Sequence, residues 1–286
     1  MRTHNKFLLA VLVVVLSLTL TDGTGRAADN AIRVGMIPDA GATQVSVDQK
    51  KPLKDYLATA LGQPVDLIIP TNYNATVEGL GNGSLDFAYL GGLTYLKAHE
   101  QYGVTPLVQR QSDQQFHSLF ITQAGSSINS LADIKGKTFA FGDIVSTSGH
   151  LMPFLAMTNA GVNVDTDLKF RYSGSHAATA KAVEAAAVDA GALDETVFRQ
   201  MTSSGDVNPA KVRVFFTTPP FVDYVWVARK DINPAAAERF AKAFLSLQQP
   251  KDAQVLDILR GSQFVRANDQ EYASLKVIAK QLGMLQ

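Results

Sequence analysis

Cysteine is absent from this chain of 286 residues. Its absence excludes a disulfide framework, a thiol nucleophile, a cysteine-ligated metal and a lipid attached through a cysteine. Tryptophan occurs only once, and neither sign of charge is in excess, because 26 Lys and Arg residues balance 26 Asp and Glu residues. A chain with this balance lacks the basic face that binds nucleic acid, so nucleic acid is not expected as a partner.

Apolar runs long enough to cross a bilayer are also lacking. The most apolar stretch, Phe7–Leu20, has 14 residues, whereas a spanning helix needs roughly 20. It follows a basic start that contains Arg2 and Lys6, and it precedes Gly25-Arg26-Ala27, whose small residues are typical of a signal-peptidase site. We therefore expect residues 1–27 to be a signal peptide cleaved after Ala27, and the product to be an unlipidated protein of the bacterial periplasm.

Signatures of catalysis are missing as well. The sequence contains neither the Gly-x-Ser-x-Gly elbow of α/β hydrolases nor the His-Glu-x-x-His motif of zinc proteases. The histidines beyond the signal peptide are not clustered as metal ligands would be. They are His99, His117, His150 and His176. We therefore expect a protein that is not an enzyme and that has no catalytic residues, no cofactor and no metal; an exported hydrolase is the less favoured alternative.

Strand and helix patterns alternate along the rest of the chain. The apolar residues 31–37 predict a strand, and Val47–Leu61, with leucines at every fourth position, predicts a helix. Residues 85–90 and 118–122 predict further strands in the same alternating order. This order is typical of an α/β protein whose mainly parallel sheets are flanked by helices.

The length of the chain and two extended stretches predict two lobes. About 259 residues remain after the signal peptide, enough for two medium-sized domains. The stretches around 118–122 and 221–228 are expected to cross between the lobes. The first lobe would then comprise residues 28–122 and 221–286, and the second residues 123–220. In such a fold the ligand is expected in the cleft between the lobes, at the ends of the strands.

One hydroxyl-rich run is a candidate anion site. Ser146-Thr147-Ser148-Gly149-His150 precedes an apolar segment that predicts a helix. Backbone N–H groups at a helix N-terminus, together with hydroxyl donors, bind anions without any Arg or Lys. The alternative is an ordinary helix cap, because Ser and Thr are favoured in that position for the sake of the helix alone.

Four segments occur in a characteristic order and spacing. They are Gly35-Met36-Ile37-Pro38 with Pro52-Leu53, Asn72-Tyr73-Asn74 with the run from Gly83 to Gly91, Ser146-Thr147-Ser148-Gly149 with Pro153, and Gly174-Ser175-His176 with Val188-Asp189. Together they resemble the periplasmic substrate-binding proteins of phosphonate-type ABC transporters, over nearly the whole exported part of the chain. The resemblance implies a two-lobe, hinge-bending fold of the periplasmic binding protein type II kind. It also implies that the lobes close on a phosphonate, phosphite or similar oxyanion and deliver it to an ABC permease of the inner membrane.

The resemblance also implies the ligand contacts. Ser146, Thr147 and Ser148 are expected to hold the phosphorus oxygens, Tyr73 to reach the ligand from the first lobe, and His176 to contribute a ring N–H at the pocket. Hydroxyl and N–H donors suit the acceptor oxygens of a tetrahedral oxyanion, and hydrogen bonds to a charged ligand are about twice as strong as neutral ones.

A ligand that keeps one P–OH group would also need an acceptor. A nearby carboxylate, Asp194 or Asp189, could supply it, and we take Asp194 as the candidate ligand-binding residue. His176 has an ordinary alternative role as a helix cap, and His150 is as compatible with a structural role as with a functional one. Trp226 is predicted to lie in the core or at the hinge.

Two departures from the family pattern bear on the ligand. Ala177 stands where many relatives have an acidic residue, and Phe116 lies in a region where relatives often have a tyrosine. Both changes remove polar contacts, so the fourth substituent on phosphorus is expected to be small, as in phosphite or methylphosphonate rather than 2-aminoethylphosphonate.

Other binding functions stay open at this point. The ligand could be another anion such as a sulfonate or sulfate, or a cation such as a polyamine. The protein could also be a sensory binding protein that reports to a membrane receptor instead of a permease. In each case we expect a monomer.

Overall fold

The computed structural model describes residues 31–41 and 44–286. The predicted signal peptide and its cleavage site after Ala27 lie outside the described residues. Within the described ranges, no helix has both the length and the apolar character needed to cross a membrane.

The described part of the chain alternates strands and helices, as the sequence pattern predicts. The strands are β1 (Ile32–Met36), β2 (Val65–Ile68), β3 (Phe87–Leu90), β4 (Thr105–Arg110), β5 (Ser118–Gln123), β6 (Thr138–Phe141), β7 (Lys169–Tyr172), β8 (Ala190–Asp194), β9 (Val212–Thr217), β10 (Val225–Ala228) and β11 (Phe264–Arg266). The α-helices are α1 (Gln44–Asp48), α2 (Lys51–Leu61), α3 (Tyr73–Gly81), α4 (Gly92–Tyr102), α5 (Met152–Asn159), α6 (Val164–Asp167), α7 (His176–Glu184), α8 (Glu195–Ser204), α9 (Pro234–Leu245), α10 (Ala253–Ile258) and α11 (Ala273–Gln281).

The helix predicted over Val47–Leu61 is two helices, α1 and α2. Pro52 lies in the first turn of α2, where its missing N–H costs nothing, but it could not continue a helix begun in α1. The predicted apolar stripe is confirmed, because Leu53, Leu57 and Leu61 are all buried. Gly62 then ends α2 in the left-handed conformation that glycine adopts without strain.

The strands form two sheets, and each sheet is the centre of one lobe. The first sheet has the order β11-β4-β10-β3-β1-β2, and the second has the order β7-β6-β8-β5-β9. Parallel pairs such as β1–β2 and β6–β8 are present, but β10 is antiparallel to both of its neighbours, and so is β5. Both sheets are therefore mixed, where the sequence analysis expects mainly parallel sheets.

The reversed strands follow directly from the crossings. The carboxyl ends of β1, β3, β6 and β8 meet at the cleft, where the chain also passes between the lobes. A strand that enters its sheet from this side must run away from the cleft and therefore opposite to its neighbours. β5 and β10 are the strands that follow the two crossings, and both are antiparallel for this reason.

The two crossing segments are joined to each other. Phe116 and Phe221 form an isolated antiparallel bridge, with backbone N···O distances of 2.8 and 2.9 Å. The Asp223 N–H also donates to the Asp113 carbonyl at 3.0 Å. Residues 118–122, which the sequence analysis assigns to the first lobe, form most of β5 in the second sheet. We propose that the crossings lie near the Phe116–Phe221 bridge, a few residues before β5.

Each lobe has its own apolar core. The core of the first lobe includes Trp226, whose ring packs between Tyr89, Phe240 and Phe244 with centroid distances of 4.7 to 5.7 Å. The single tryptophan is thus a core residue, as predicted. Separate clusters cover the second sheet, one around Phe139 and the other around Leu193.

Candidate functional site

The cleft collects residues that follow the carboxyl ends of strands. Tyr73 comes shortly after β2, and the Ser146–Ser148 run after β6. His176 comes after β7, and Asp194 is the last residue of β8. Parallel strands bring their carboxyl ends to one edge of a sheet, which is why residues so far apart in the chain converge here.

Ser146 is a helix cap. Its side-chain oxygen accepts from the Gly149 N–H at 3.0 Å, and the turn Thr147–Leu151 leads directly into α5. Gly149 is required there, because a Cβ would lie 2.9 Å from Ser146 Oγ and 3.0 Å from the His176 ring. The cap interpretation and the anion-site interpretation are compatible, because both use the same helix end.

Thr147 joins the two lobes. Its hydroxyl oxygen accepts from the Leu93 N–H at the start of α4 at 2.9 Å, and it lies beside the carboxylate of Asp223. The second lobe approaches Gly91 closely, since a Cβ there would lie 3.2 Å from Thr147 Oγ1 and 3.3 Å from Asp223 Oδ1. A second bond across the cleft runs from the Thr94 hydroxyl to the Val145 carbonyl at 2.9 Å.

Ser148 differs from its two neighbours. Its hydroxyl is buried and has no hydrogen-bond partner among the described residues. Of the three hydroxyls in the run, Ser148 is therefore the one that forms no hydrogen bond to the described residues.

Tyr73 extends into the same region from the first lobe. Asn72 caps α3 by accepting from the Ala75 N–H, which leaves Tyr73 as the first helical residue. The Tyr73 hydroxyl is buried without a partner in the described ranges. Burial and four surrounding aspartates raise the pKa of Tyr73 well above its usual value of 10.0, so the phenol keeps its proton and can donate it. These aspartates are Asp39, Asp143, Asp194 and Asp223.

His176 is not the cap of α7, because Ser175 occupies that position and accepts from the Ala178 N–H. The His176 Nδ1 accepts from the Asp194 N–H at 3.2 Å, and Nε2 lies 3.2 Å from the Tyr224 hydroxyl. A backbone amide can only donate, so Nδ1 carries no proton and the Nε2–H donates to Tyr224; this tautomer is assigned from the hydrogen bonds. Burial lowers the pKa of His176, which favours the same neutral ring.

Tyr224 therefore accepts the hydrogen bond from the His176 ring N–H. The sequence predicts that this N–H is offered to a ligand instead. Because the Tyr224 oxygen accepts from His176, its own O–H hydrogen is available for a further bond. The Tyr224 ring stacks on Tyr89 with centroids 4.9 Å apart, and Phe116 meets it edge-on at 5.5 Å. These rings form an aromatic wall of the cleft.

The two carboxylate oxygens of Asp194 differ in their hydrogen bonding. Its Oδ1 caps α8 by accepting from the Val197 N–H at 2.9 Å, whereas Oδ2 is buried with no partner in the described part of the chain. Burial alone would raise the pKa of Asp194, but the guanidinium groups of Arg260 and Arg110 and the bond from the Val197 N–H outweigh it and hold the pKa below its usual range. Asp194 is thus a buried carboxylate that stays ionised.

Asp223 is a further candidate site residue, one that the sequence analysis missed. Its Oδ1 accepts from the Gly92 N–H of α4 at 2.9 Å, and Oδ2 has no partner in the described ranges. Burial, with Asp194 and Asp113 nearby, raises its pKa to about 7, although bonds from Gly92 and Thr147 oppose the shift. A signal was present in the sequence, because a lone carboxylate stands in the apolar run from Phe221 to Ala228.

The unpartnered atoms define what the site can bind. The unpaired set, meaning the buried side-chain atoms with no hydrogen-bond partner within the described residues, comprises the hydroxyls of Tyr73, Tyr89, Ser118 and Ser148, Oδ2 of Asp194 and Asp223, and Nε1 of Trp226. Trp226 belongs to the core of the first lobe, but Tyr73 lies close enough to Asp194 and Asp223 to interact with their charges. Buried polar groups in proteins nearly always have partners, so this group of three indicates a place for a ligand. The set contains both donors and acceptors.

Two other candidates lie outside this site. Asp189, at the opposite end of β8 from Asp194, accepts from the Thr138 N–H at 2.8 Å and the Thr138 hydroxyl at 2.6 Å. His150 is structural, because Nδ1 bonds to the Ile144 carbonyl at 2.7 Å and Nε2 to the Tyr172 hydroxyl at 3.0 Å. Among the described residues, no group of three or more His, Asp or Glu side chains could hold a metal ion.

Comparisons with known proteins agree with this architecture. Residues 34–272 match the family model of the ABC transporter phosphonate periplasmic substrate-binding proteins. The chain is 32% identical to the "Probable ABC transporter phosphite binding protein PhnD1" of Prochlorococcus marinus, over 89% of this chain and 90% of that protein. It is 25% identical to the "Phosphate-import protein PhnD" of Mycolicibacterium smegmatis, over 85% of this chain and 82% of that protein.

The solved structures extend the likeness to three dimensions. The structure of Prochlorococcus marinus PhnD1 in complex with methylphosphonate superposes with a TM-score of 0.83 at 30% identity, over 89% of this chain and 99% of that chain. The aliphatic sulphonate-binding protein SsuA of Escherichia coli shares the fold, with a TM-score of 0.61 at 16% identity, over 88% and 86% of the two chains. By its sequence and its two-lobe fold, the chain belongs to the family of periplasmic substrate-binding proteins of phosphonate ABC transporters.

Proposed function

We propose that this protein captures a small phosphorus oxyanion, such as phosphite or methylphosphonate, in the periplasm and delivers it to an ABC permease. Its family is one of substrate-binding transport components and not of enzymes. The observation that supports the proposal is the unpaired set, which contains buried hydroxyl donors and carboxylate oxygens from residues that follow strand ends at the cleft.

The donors suit the oxygens of the ligand. Ser148 and Tyr73 offer buried hydroxyls from opposite lobes, and Tyr224 has a free O–H because its oxygen accepts from His176. Ser146 and Thr147 support them by shaping the turn before α5 and by holding it against α4. We propose that these groups hold the anionic oxygens of the ligand, because hydrogen bonds to a charged group are stronger than neutral ones.

The acceptors suit a ligand that retains a proton. Oδ2 of Asp194, which stays ionised, can only accept a hydrogen bond and would repel a fully deprotonated anion, and Oδ2 of Asp223 can accept one when that carboxyl is ionised. The monoanions of phosphonates and phosphite, which are present near neutral pH, carry a P–OH group, whereas sulfate and sulfonates carry no proton there. The buried acceptors therefore favour a phosphorus ligand over the sulfur alternatives, and the likeness to a sulphonate-binding protein shows the fold alone.

The aromatic wall favours a small fourth substituent. Phe116, Tyr89 and Tyr224 are all buried, and Phe116 offers no hydroxyl to a larger polar ligand. Ala177 likewise carries no carboxylate for an amine. The Prochlorococcus marinus relative, a probable phosphite-binding protein whose solved structure holds methylphosphonate, supports the same size class.

The decisive experiment is calorimetry on protein freed of ligand by unfolding and refolding. The panel is phosphite, methylphosphonate, phosphate, 2-aminoethylphosphonate, sulfate and methanesulfonate at pH 7. Phosphite or methylphosphonate is expected to bind tightly and sulfate not at all. Tight binding of sulfate together with no binding of any phosphorus compound would overturn the proposal.

A matched pair of variants assigns the selectivity. Asp223→Asn replaces an acceptor of the unpaired set with an amide donor and should gain affinity for sulfate while losing affinity for the phosphorus ligand. Asp189→Asn changes a carboxylate outside the site and should leave the order of ligands unchanged. Equal effects of the two variants would contradict the role of Asp223.

We also propose that the exported protein is a monomer that loses residues 1–27. The family is periplasmic, which agrees with export. Intact-mass measurement on protein recovered from the periplasm should give a chain that begins at Ala28. Light scattering on the same sample should give the mass of a single chain.

A further inference from the structure

A bridge between the lobes lies outside the unpaired set. Arg260, in the turn after α10, forms an ion pair with Asp39, which follows β1; both belong to the first lobe. The Nε of Arg260 also donates to the Thr196 hydroxyl of α8 at 3.2 Å, and α8 belongs to the second lobe. The side chains of Arg260 and Asp39 are only 8% and 3% exposed, so water screens this contact little.

Asp39 contributes a second link to the bridge. Its backbone carbonyl accepts from the His176 N–H at 3.0 Å and from the Ala177 N–H at 3.4 Å. These are the first amides of α7, which have no partner within the helix itself. The loop after β1 is therefore bonded to the second lobe, and Arg260 holds the carboxylate of the same residue.

The bridge continues into the binding site. The Thr196 hydroxyl that accepts from Arg260 donates its own hydrogen to Asp194 Oδ1 at 2.7 Å. Arg260 is therefore linked to Asp194 through two hydrogen bonds. The other oxygen of Asp194, Oδ2, belongs to the unpaired set. The positive charge of Arg260 also helps to keep Asp194 ionised, which couples the closed position of the lobes to the electrostatics of the site.

Two features distinguish Arg260 from an ordinary surface arginine. Its backbone φ is +53°, a left-handed conformation that a residue with a Cβ adopts only when its surroundings impose it. It also lines two open clefts between the lobes, of about 590 and 780 Å³, so the arginine spans a region where the lobes otherwise stand apart.

We propose that Arg260 is a positioning residue that holds the two lobes closed through Thr196, in the absence as well as in the presence of ligand. Anchored on Asp39, its guanidinium provides part of the closing free energy that other contacts would otherwise have to supply. The free protein then populates the closed form, and a bound ligand leaves slowly.

Interlobe distance in the free protein tests this directly. The absence of cysteine permits clean labelling of a Gln63→Cys/Lys211→Cys pair, one exposed position on each lobe. Single-molecule energy transfer without ligand should show a closed population in the parent. Thr196→Val removes the hydroxyl but keeps the shape and the Arg260–Asp39 pair, and it should reduce this population. Thr196→Ser restores a hydroxyl and should recover it.

Binding kinetics provide the second readout. Loss of one hydrogen bond to a charged group lowers an equilibrium constant about tenfold. Thr196→Val should therefore lower the affinity for methylphosphonate or phosphite by about that factor, mainly through faster release. Arg229→Ala is the control, because Arg229 pairs with Asp86 inside the first lobe. It should change neither the distances nor the release rate.

The outcomes separate this inference from the proposed function. If Thr196→Val and Arg260→Lys leave the distances of the ligand-free protein unchanged, the bridge does not hold the lobes and the inference fails. If neither methylphosphonate nor phosphite binds the parent, the proposed function fails, while the ligand-free distances still decide the role of Arg260.

Discussion

Tyr224 Oη lies 3.2 Å from Nε2 of His176, and both side chains are fully buried. The bond joins the start of β10 in the first lobe to the start of α7 in the second. His176 is oriented in turn by the Asp194 N–H, so one chain of bonds runs from the second sheet through the imidazole to the aromatic wall. The position of Tyr224 in the closed protein thus depends on a residue of the opposite lobe.

The first prediction tests this bond. Tyr224→Phe keeps the stack on Tyr89 but leaves the His176 Nε2–H without its acceptor, so the free energy of unfolding should fall by about 1–3 kcal/mol. Tyr89→Phe removes a hydroxyl of the unpaired set and should cost little or nothing. Urea denaturation of both variants makes the comparison, and equal losses would contradict the assigned bond.

The second prediction separates the roles of two neighbouring serines. Ser148→Ala deletes a hydroxyl that has no partner in the described residues, so it should reduce oxyanion affinity about ten- to hundredfold with little change in stability. Ser146→Ala deletes a helix cap and should lower the free energy of unfolding by about 1 kcal/mol. Calorimetry and urea denaturation on each variant measure the two effects. Unchanged binding by Ser148→Ala would place the site elsewhere.

The third prediction concerns Asp223 and pH. Its pKa is about 7 in the folded protein and 3.8 in a model compound, so the folded state holds a proton that the unfolded state has lost between these values. The contribution of Asp223 to stability therefore falls as pH rises through this window, by about 1.4 kcal/mol for each unit. Asp223→Asn cannot titrate. The difference in unfolding free energy between the two proteins, followed from pH 5 to pH 7, should show this slope, and parallel curves would refute it.

The fourth prediction concerns His150, whose contribution to stability changes with pH in the opposite direction to that of Asp223. Burial lowers the pKa of His150 to about 4 from 6.5, so the folded state favours the neutral ring. Stability from this group is complete above pH 6.5 and is lost as pH falls toward 4, because the unfolded chain gains the proton first. His150→Phe suits the surrounding rings of Phe141, Phe154 and Tyr172 and does not titrate. The parent should lose stability relative to this variant on acidification, and a constant difference would contradict the assignment.

Local patterns in the sequence predicted much of the fold. The leucines of α2, the alternation of strands and helices, and the Ser146 cap depend on neighbours a few residues away, and the structure contains all of them. The predicted helix begins too early because the leucine stripe starts only at Leu53, directly after Pro52 in the first turn of α2. The antiparallel direction of β5 and β10 was missed because strand direction depends on where the chain enters a sheet, which no local pattern encodes.

The candidate site was predicted in part. Tyr73, Ser148 and Asp194 contribute atoms to the unpaired set, so the structure places three of the predicted residues at the cleft with unused bonding capacity. Thr147 and His176 lie there too, but their polar atoms bond to other parts of the protein. Whether each of these residues contacts the ligand stays a prediction for the variants above.

The alternating elements, the hydroxyl run before α5 and the resemblance to the family could all be predicted from the sequence, since each is encoded in short segments. The contacts that make Asp223 a candidate site residue and that bond His176 to Tyr224 appear only in the folded protein. The physical reason is distance along the chain: Asp223 meets Gly92 across 131 residues, and Tyr224 meets His176 across 48. Such partners are chosen when the sheets form and the lobes close, and composition and spacing alone do not select them.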